Sequence, residues 1–381
     1  MKITFFSNFM NHHQLMFCQE LQELTNNHFI FVATTPVPEE RLSLGYHDMN
    51  KIYPFVLTTY DSEENKKFAM KLAVDSDVVI HGAAPEAYVA KRMEVGKLTF
   101  RYLERLNKRG FLRAISPRML IDVNRKHIVY RDKPLYVLCA SAYTAKDLHF
   151  YGCYKNKCVK WGYFPEVKTH NIDDLIKKKD PLLILWAGRL IDWKHPEVAV
   201  FVAEQLKKEN IPFKMRIIGN GSMEQKLKKM IQAKSLSSDV EMPGAMAPEE
   251  VRANMEEASV YLFTSDYQEG WGAVLNEAMN SACAVVANRA IGAVPFLIQD
   301  GYNGFFYVNG KLGDCTTYVK KLMGDVALRN KCGRSAYETL IDEWNAGNAA
   351  RKFYALSESL QNGNDATQYE TGVCSLAPWK I

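Results

Sequence analysis

Short apolar runs alternate with longer amphipathic stretches from the first residues of the chain. Lys2–Ser7 reads as a strand, and His13–Leu24 as a helix with Leu15, Cys18, Leu21 and Leu24 on one side. Phe29–Thr34 and Phe55–Thr59 read as strands, Ser62–Val74 as a helix, and Asp77–Gly82 as a buried strand closing on a polar turn. Lys97–Tyr102 and Leu135–Ala140 continue the series. A first unit closes around Trp161–Pro165, and the polar, Lys-rich stretch Thr169–Asp180 reads as a connection. The alternation then resumes with strand Leu182–Ala187 and a helix opened by Pro196, with Val198, Phe201, Val202 and Leu206 along one stripe. Met215–Ile218 reads as a strand, and Ser222 and Gln225 read as a capping box for the helix after it. Strand Ala258–Phe263, a helix through Leu275, Ala278 and Met279, and strands Ala284–Ala287 and Gly304–Tyr307 follow. Residues 345–361 read as a final helix, and the last twenty show no periodicity and read as loosely ordered. This alternation predicts an α/β protein with two parallel, doubly wound sheets. The division is 1–168, 169–344, and a terminal segment 345–381.

Composition narrows the class. Of 381 residues, 47% are hydrophobic, enough for two cores, and no apolar run approaches the roughly 18 residues of a membrane span. The opening residues do not resemble a signal peptide. Eight cysteines are scattered, and Cys153 and Cys158 have no companion pair at metal-ligand spacing, so a reducing cytoplasm is expected and a zinc site is not. A net charge of +5 carries no nucleic-acid signature, but residues 91–133 hold thirteen Lys or Arg against four Asp or Glu. Two readings stay open for that stretch: a solvated helix face over a core, or a surface that meets anionic lipid or a phosphate-bearing acceptor.

The chemistry concentrates at Glu269 and Glu277, two carboxylates flanking the turn Gly270-Trp271-Gly272. The first lies after a predicted buried strand and the second in the early turns of a helix. Open α/β sheets bind ligands at such strand ends, and a helix start favours phosphate while carboxylates accept hydrogen bonds from sugar hydroxyls. A nucleotide sugar has both parts.

This arrangement resembles the Glu-x7-Glu motif of the retaining glycosyltransferases of family four. In the same order come Gly188-Arg189-Leu190 with Lys194, Ile217-Ile218-Gly219-Asn220-Gly221, and Val240–Gly244. The resemblance implies a GT-B fold, two Rossmann-like domains facing a cleft, with a donor-binding second domain and an acceptor-binding first domain. It implies that Arg189 and Lys194 hold the donor diphosphate, for which a forked and a point cation are suited. Glu269 would contact the transferred sugar and Glu277 the ribose hydroxyls. Gly188, Gly219, Asn220, Gly221, Gly270, Trp271 and Gly272 would line the donor, with Leu275 and Asn276 beside the phosphate and ribose and Met246 beside the base. Gly219 and Gly221 also read as a plain tight turn. Candidates on the acceptor side are His12, His13, Glu86, Arg101 and Glu104, with His81 as a catalytic candidate at a strand end. The segment after the first strand lacks the glycines common in the family. Asp75-Ser76-Asp77 imitates a metal-binding Asp-x-Asp but precedes its strand, so it is expected to end a helix, and no metal or other cofactor is expected.

The expectation is a cytoplasmic, metal-independent, retaining glycosyltransferase, peripheral at the inner membrane face. It would move a hexose-type sugar from a UDP- or GDP-sugar to a hydroxyl of a glycan or lipid-linked acceptor, of the kind that builds bacterial cell-envelope polysaccharide. The alternatives are a non-catalytic nucleotide-sugar-binding protein of the same fold and a nucleotide-sugar epimerase.

Overall fold

The computed structural model describes residues 1–39, 42, 47–108 and 110–380. The chain divides into two compact units, 1–166 with 345–381, and 167–344. Residue 109 of the basic stretch lies outside the described residues.

The first unit is built on a seven-stranded parallel sheet. Its strands are β1 (Ile3–Ser7), β2 (Phe29–Ala33), β3 (Val56–Thr58), β4 (Val78–His81), β5 (Thr99–Leu103), β6 (Leu135–Cys139) and β7 (Cys158–Lys160), in the order β3-β2-β1-β4-β5-β6-β7. The order reverses between β1 and β4. Helix α1 (His12–Leu24) follows β1, and α2 (Glu63–Asp75) precedes β4. Ser62 caps α2 by accepting from the Asn65 amide at 3.0 Å. Asp75 ends that helix and Asp77 accepts from the Lys2 amide at 2.6 Å, so the acidic pair belongs to a helix end, as its position predicts. The terminal helix, here α3 (Ala346–Gln361), packs Phe353 against Phe17, Phe100 and Trp161, with ring centroids 4.9 to 5.9 Å apart.

Two features of this unit escape the hydrophobic pattern. β7 spans three residues, too few for a periodicity. The chain end is ordered against it: Lys160 donates to the Ser375 carbonyl at 2.7 Å, and Ala377 donates to that of Cys158 at 2.9 Å. Val373 and Cys374 are fully buried. The last twenty residues are therefore not loose throughout. They cover an edge that would otherwise leave its N–H and C=O groups unpaired.

The basic stretch divides by burial. Arg92 and Arg101 are inside. Arg92 donates to the carbonyls of Ala73, Ser76, Asp77 and Leu98, stapling the end of α2 to β5. Arg101 forks onto both oxygens of Glu86, at 2.9 and 2.7 Å, and donates to the Lys126 carbonyl at 2.8 Å. That last bond fixes the end of a helix, Pro117–Lys126, whose outer side carries Arg118, Leu120, Ile121 and Arg125 exposed. His127, just after it, contacts the Tyr154 hydroxyl at 3.1 Å. His81 and His127 are both buried near Arg101. Burial first, and the Arg101 charge second, push their pKa values down to about 4 and about 3.

The second unit has a six-stranded parallel sheet: β8 (Asp180–Ala187), β9 (Lys214–Ile218), β10 (Val240–Gly244), β11 (Ala258–Phe263), β12 (Ala284–Asn288) and β13 (Gly304–Tyr307), ordered β10-β9-β8-β11-β12-β13. Its reversal lies between β8 and β11. Helices Glu197–Lys208 and Leu312–Gly324 contribute to a core that includes Val198, Leu206, Ile217, Val286, Val319 and Leu322. The helix after β9 begins at Glu224 with Met223 at its cap and no side-chain cap bond. Ser222 therefore does not form a capping box; the Met223 amide bonds instead to the Leu190 carbonyl, at 2.8 Å.

The two buried histidines predict acid sensitivity. Each folded pKa lies below the unfolded value, so the neutral form is favoured in the fold. Stability is complete above the unfolded pKa, near 6.5, and falls as pH drops toward 4. Between pH 7 and pH 5 the loss should be on the order of 1–2 kcal/mol per histidine. Urea unfolding at both pH values should show a flatter pH dependence in a His81→Asn, His127→Asn double variant; an unchanged slope would refute the assignment.

Candidate functional site

The reversal point of the second sheet sends two loops from the carboxyl ends of adjacent strands, the position where such sheets bind ligands. The loop after β8 carries Gly188, Arg189 and Lys194, and the loop after β11 carries Thr264 to Glu269. A hydrogen-bond relay joins them. The Trp186 indole donates to Thr264 Oγ1 at 2.8 Å, and the Thr264 hydroxyl donates to the Lys194 carbonyl at 2.7 Å. The Asp266 amide donates to the Trp193 carbonyl at 3.0 Å. Lys194 consequently meets Glu269 in an ion pair in which both side chains are mostly buried, and Ser265 Oγ donates to the same carboxylate at 2.9 Å. Arg189 is exposed, and its guanidinium and the Lys194 ammonium lie 5.8 and 4.8 Å from the Trp193 ring centroid. Two cations therefore flank one indole.

Glycines make this packing feasible. Gly219 and Gly221 adopt φ values of +139° and +151°, and a Cβ on them would lie 1.8 Å from the Gly188 carbonyl oxygen and 2.4 Å from that of Leu190. The Gly188 amide bonds the Ile218 carbonyl at 3.0 Å, and the Leu190 amide bonds that of Asn220 at 2.7 Å. Both glycines thus serve backbone-to-backbone contact between the loops after β8 and β9, and Asn220 lies exposed between them.

Glu277 lies in the short helix Val274–Asn280 and is half-buried. Burial pushes its pKa up, and the Arg252 charge opposes that without a hydrogen bond to it. Among the described residues no protein group donates to this carboxylate. Arg252 is itself buried and donates to Asn280. The side chains of Trp271, Leu275 and Asn276 point inward: each is at most 1% exposed, and the Trp271 indole donates to Asn276 Oδ1 at 2.9 Å. The side chains of Leu275 and Asn276 therefore support the turn, because the inner face of this helix packs into the core. Gly272, at φ +93° and against the Phe263 ring, keeps the turn compact after Gly270, and Met246 lies past β10, receiving an N–H from Asn254 at 3.5 Å.

In the first unit the reversal point collects the loop after β1 and the loop after β4. His12 and His13 pack ring against ring at 3.7 Å, His13 stacks on Tyr163 at 5.2 Å, and the Tyr163 hydroxyl bonds Glu104. His81 bonds the Pro85 carbonyl at 3.2 Å within its own loop, and Glu86 and Arg101 are engaged with each other. Burial raises the Glu86 pKa, but the Arg101 bond and charge outweigh it and leave it lowered. Sequence reasoning missed Thr264, Asp266, Arg252 and Tyr163, whose partners lie far along the chain, and Ser265, which bonds Glu269 four residues on.

The comparisons with known proteins meet this geometry at the second unit. Residues 167–339 match the family model of glycosyl transferases group 1. This segment belongs to that family. A putative colanic acid biosynthesis glycosyltransferase of Salmonella typhimurium is 33% identical over 130 residues, 33% of this chain and 32% of that protein. The poly(ribitol-phosphate) alpha-N-acetylglucosaminyltransferase of Staphylococcus aureus is 27% identical over 194 residues, 51% of this chain and 38% of that protein. The chain thus spans about a third of the length of these relatives. Among solved structures, Anabaena HepE in complex with UDP superposes with a TM-score of 0.68 at 15% identity, covering 95% of this chain and 100% of that one. Staphylococcus aureus TarM gives 0.58 at 19% identity, covering 77% and 58%. The shared fold is GT-B, and the group 1 segment of this chain carries the Lys194–Glu269 pair and Glu277.

Gly219→Ala should lower stability by about 3 kcal/mol or more, because the new methyl collides with a backbone carbonyl that cannot move away. Gly244→Ala, at φ +92° with open space around it, should lose only about 1–2 kcal/mol in strain. Thermal unfolding of both variants checks the ranking, and equal losses would contradict it.

Proposed function

We propose that this chain is a metal-independent, retaining glycosyltransferase that moves a hexose-type sugar from a nucleotide diphosphate sugar to a hydroxyl on a glycan or lipid-linked acceptor. The observation that carries the reading is Glu277. A carboxylate held in a partly buried position with no donor of its own is costly, and ribose hydroxyls would supply the missing hydrogen bonds. Lys194 and Arg189 would stabilise the negative charge that builds on the departing diphosphate, the work a metal does elsewhere. Glu269, bonded to Lys194 and Ser265, would exchange part of that set for the hydroxyls of the transferred sugar. Retention rests on the resemblance to family four and implies front-face attack, with leaving-group oxygens taking the acceptor proton. A uridine base is supported by the UDP named in the HepE structure, and a glycan acceptor by the poly(ribitol-phosphate) named in the Staphylococcus relative.

Acceptor handling falls to the first unit, where His12, His13 and Glu104 are linked through Tyr163. Its helix Pro117–Lys126 supplies the peripheral membrane reading. Ile121 is 68% exposed and Leu112, just ahead of the helix, 83%, while Arg113, Arg118 and Arg125 are exposed beside them. Apolar residues edged by arginines suit an anionic bilayer. The enzyme would then work on the cytoplasmic face of the membrane.

Thermal shift against UDP, GDP, ADP, CMP and dTDP, with and without EDTA, tests the donor site. One diphosphate should stabilise the protein by mass action, unaffected by EDTA. Glu277→Gln should remove that shift while leaving the ligand-free midpoint within a few degrees, and should lower turnover by about a hundredfold or more. No shift with any nucleotide on folded protein would refute the donor site.

Co-sedimentation with vesicles containing phosphatidylglycerol should exceed that with neutral vesicles. An Arg118→Glu, Arg125→Glu variant should abolish the difference, at roughly 1 kcal/mol per charge. Equal binding to both vesicle types would refute the membrane reading.

A further inference from the structure

The second unit holds a cavity of about 450 Å³ at the carboxyl ends of β12 and β13, between the starts of helices Glu197–Lys208 and Leu312–Gly324. None of Arg189, Lys194, Glu269 and Glu277 lines it, although Thr264 of the relay and His195 do, so it adjoins the donor site without sharing its charged pair or Glu277. Its walls are apolar at Phe201, Met230 and Leu312 and polar at Glu197, Asn288 and Tyr307.

The polar residues have unused hydrogen-bonding capacity. Glu197 Oε1 contacts His195 Nδ1 at 2.8 Å, but Oε2 is buried with no partner. Tyr307 is 2% exposed, and among the described residues its hydroxyl meets only the Cys315 thiol, a weak partner. Asn288, equally buried, gives one N–H to Asn309 Oδ1 at 2.7 Å, and its Oδ1 receives the Ala290 amide at 3.1 Å, leaving its second N–H. These groups select the occupant. An apolar ligand would leave Glu197 Oε2 and the second Asn288 N–H unpaired. Lys234 and His195 also line it but are paired with Glu204 and Glu197, so an anion would face the Glu197 carboxylate with no unpaired cation among the described lining residues. A ring with C–H faces and several hydroxyls satisfies both kinds of wall, and the volume lies in the range of small-molecule sites.

We propose that this cavity is a second carbohydrate site, which takes a neutral monosaccharide with its C–H face on Phe201 and Met230 and its hydroxyls on Glu197, Asn288 and Tyr307. The site does not depend on the assignment of donor chemistry.

The test is ligand-observed NMR on the full chain with glucose, galactose and N-acetylglucosamine, alone and with saturating UDP. At least one hexose should bind at millimolar concentration under both conditions. Glu197→Gln and Tyr307→Phe should each weaken it by about fivefold to tenfold, the effect of one lost hydrogen bond. Val198→Trp, which fills the cavity, should abolish binding, and Glu269→Ala should leave it intact. Both conservative variants keep the test decisive if the tryptophan variant fails to fold. No hexose signal, a signal lost only in Glu269→Ala, or methylammonium binding in place of the hexoses would overturn the proposal. Hexose binding that depends on Glu197 in a protein that ignores all nucleotides would sustain this site while refuting the donor reading.

Discussion

The hydroxyl of Thr264 is the hinge of the second unit. It accepts from the Trp186 indole on one strand and donates to the Lys194 carbonyl on the loop of that same strand, while belonging itself to the neighbouring strand's loop. Two loops that the sheet topology sends apart are thereby held at a fixed spacing. The Lys194–Glu269 pair, the Ser265 contact and the flanking of Trp193 all follow from that spacing. A side-chain hydroxyl in a buried relay is an economical way to fix a backbone carbonyl, because both its donor and its acceptor capacity are used and neither is left to be desolvated unpaired.

The two units share a sheet plan and use their reversal points differently. In the second, cations and carboxylates are brought close, and one carboxylate, Glu277, has no donor among the described residues. In the first, charges are largely consumed: Arg101 and Glu86 pair, Arg92 is spent on carbonyls, and two histidines are held neutral.

Much of the fold was legible in the sequence because buried parallel strands read as continuous apolar runs, and β8, β11 and β12 are of that kind. β7 and the paired chain end were not, since three or four residues cannot display a period. The Glu-x7-Glu spacing and the Gly-Arg-Leu segment located the loops. What those residues touch was hidden, because Thr264, Asp266 and Arg252 act on partners reached only through tertiary packing. Gly219 and Gly221 illustrate the limit. Their presence signalled close approach, yet it took the structure to show that another backbone makes that approach. Charge counting likewise could not sort residues 91–133, where two of the thirteen cations, Arg92 and Arg101, are internal staples.

The pairing of residues 374–377 with β7 bears on how the molecule is made. The first unit includes residues 345–381, so a ribosome must complete the whole of 167–344 before the first sheet acquires its covering segment and its packed helix. During that interval β7 is an open edge, the kind of surface on which nascent chains associate wrongly. The second unit, continuous in sequence, can fold as soon as it emerges. The segment made in the middle of synthesis can thus close before the unit that synthesis begins.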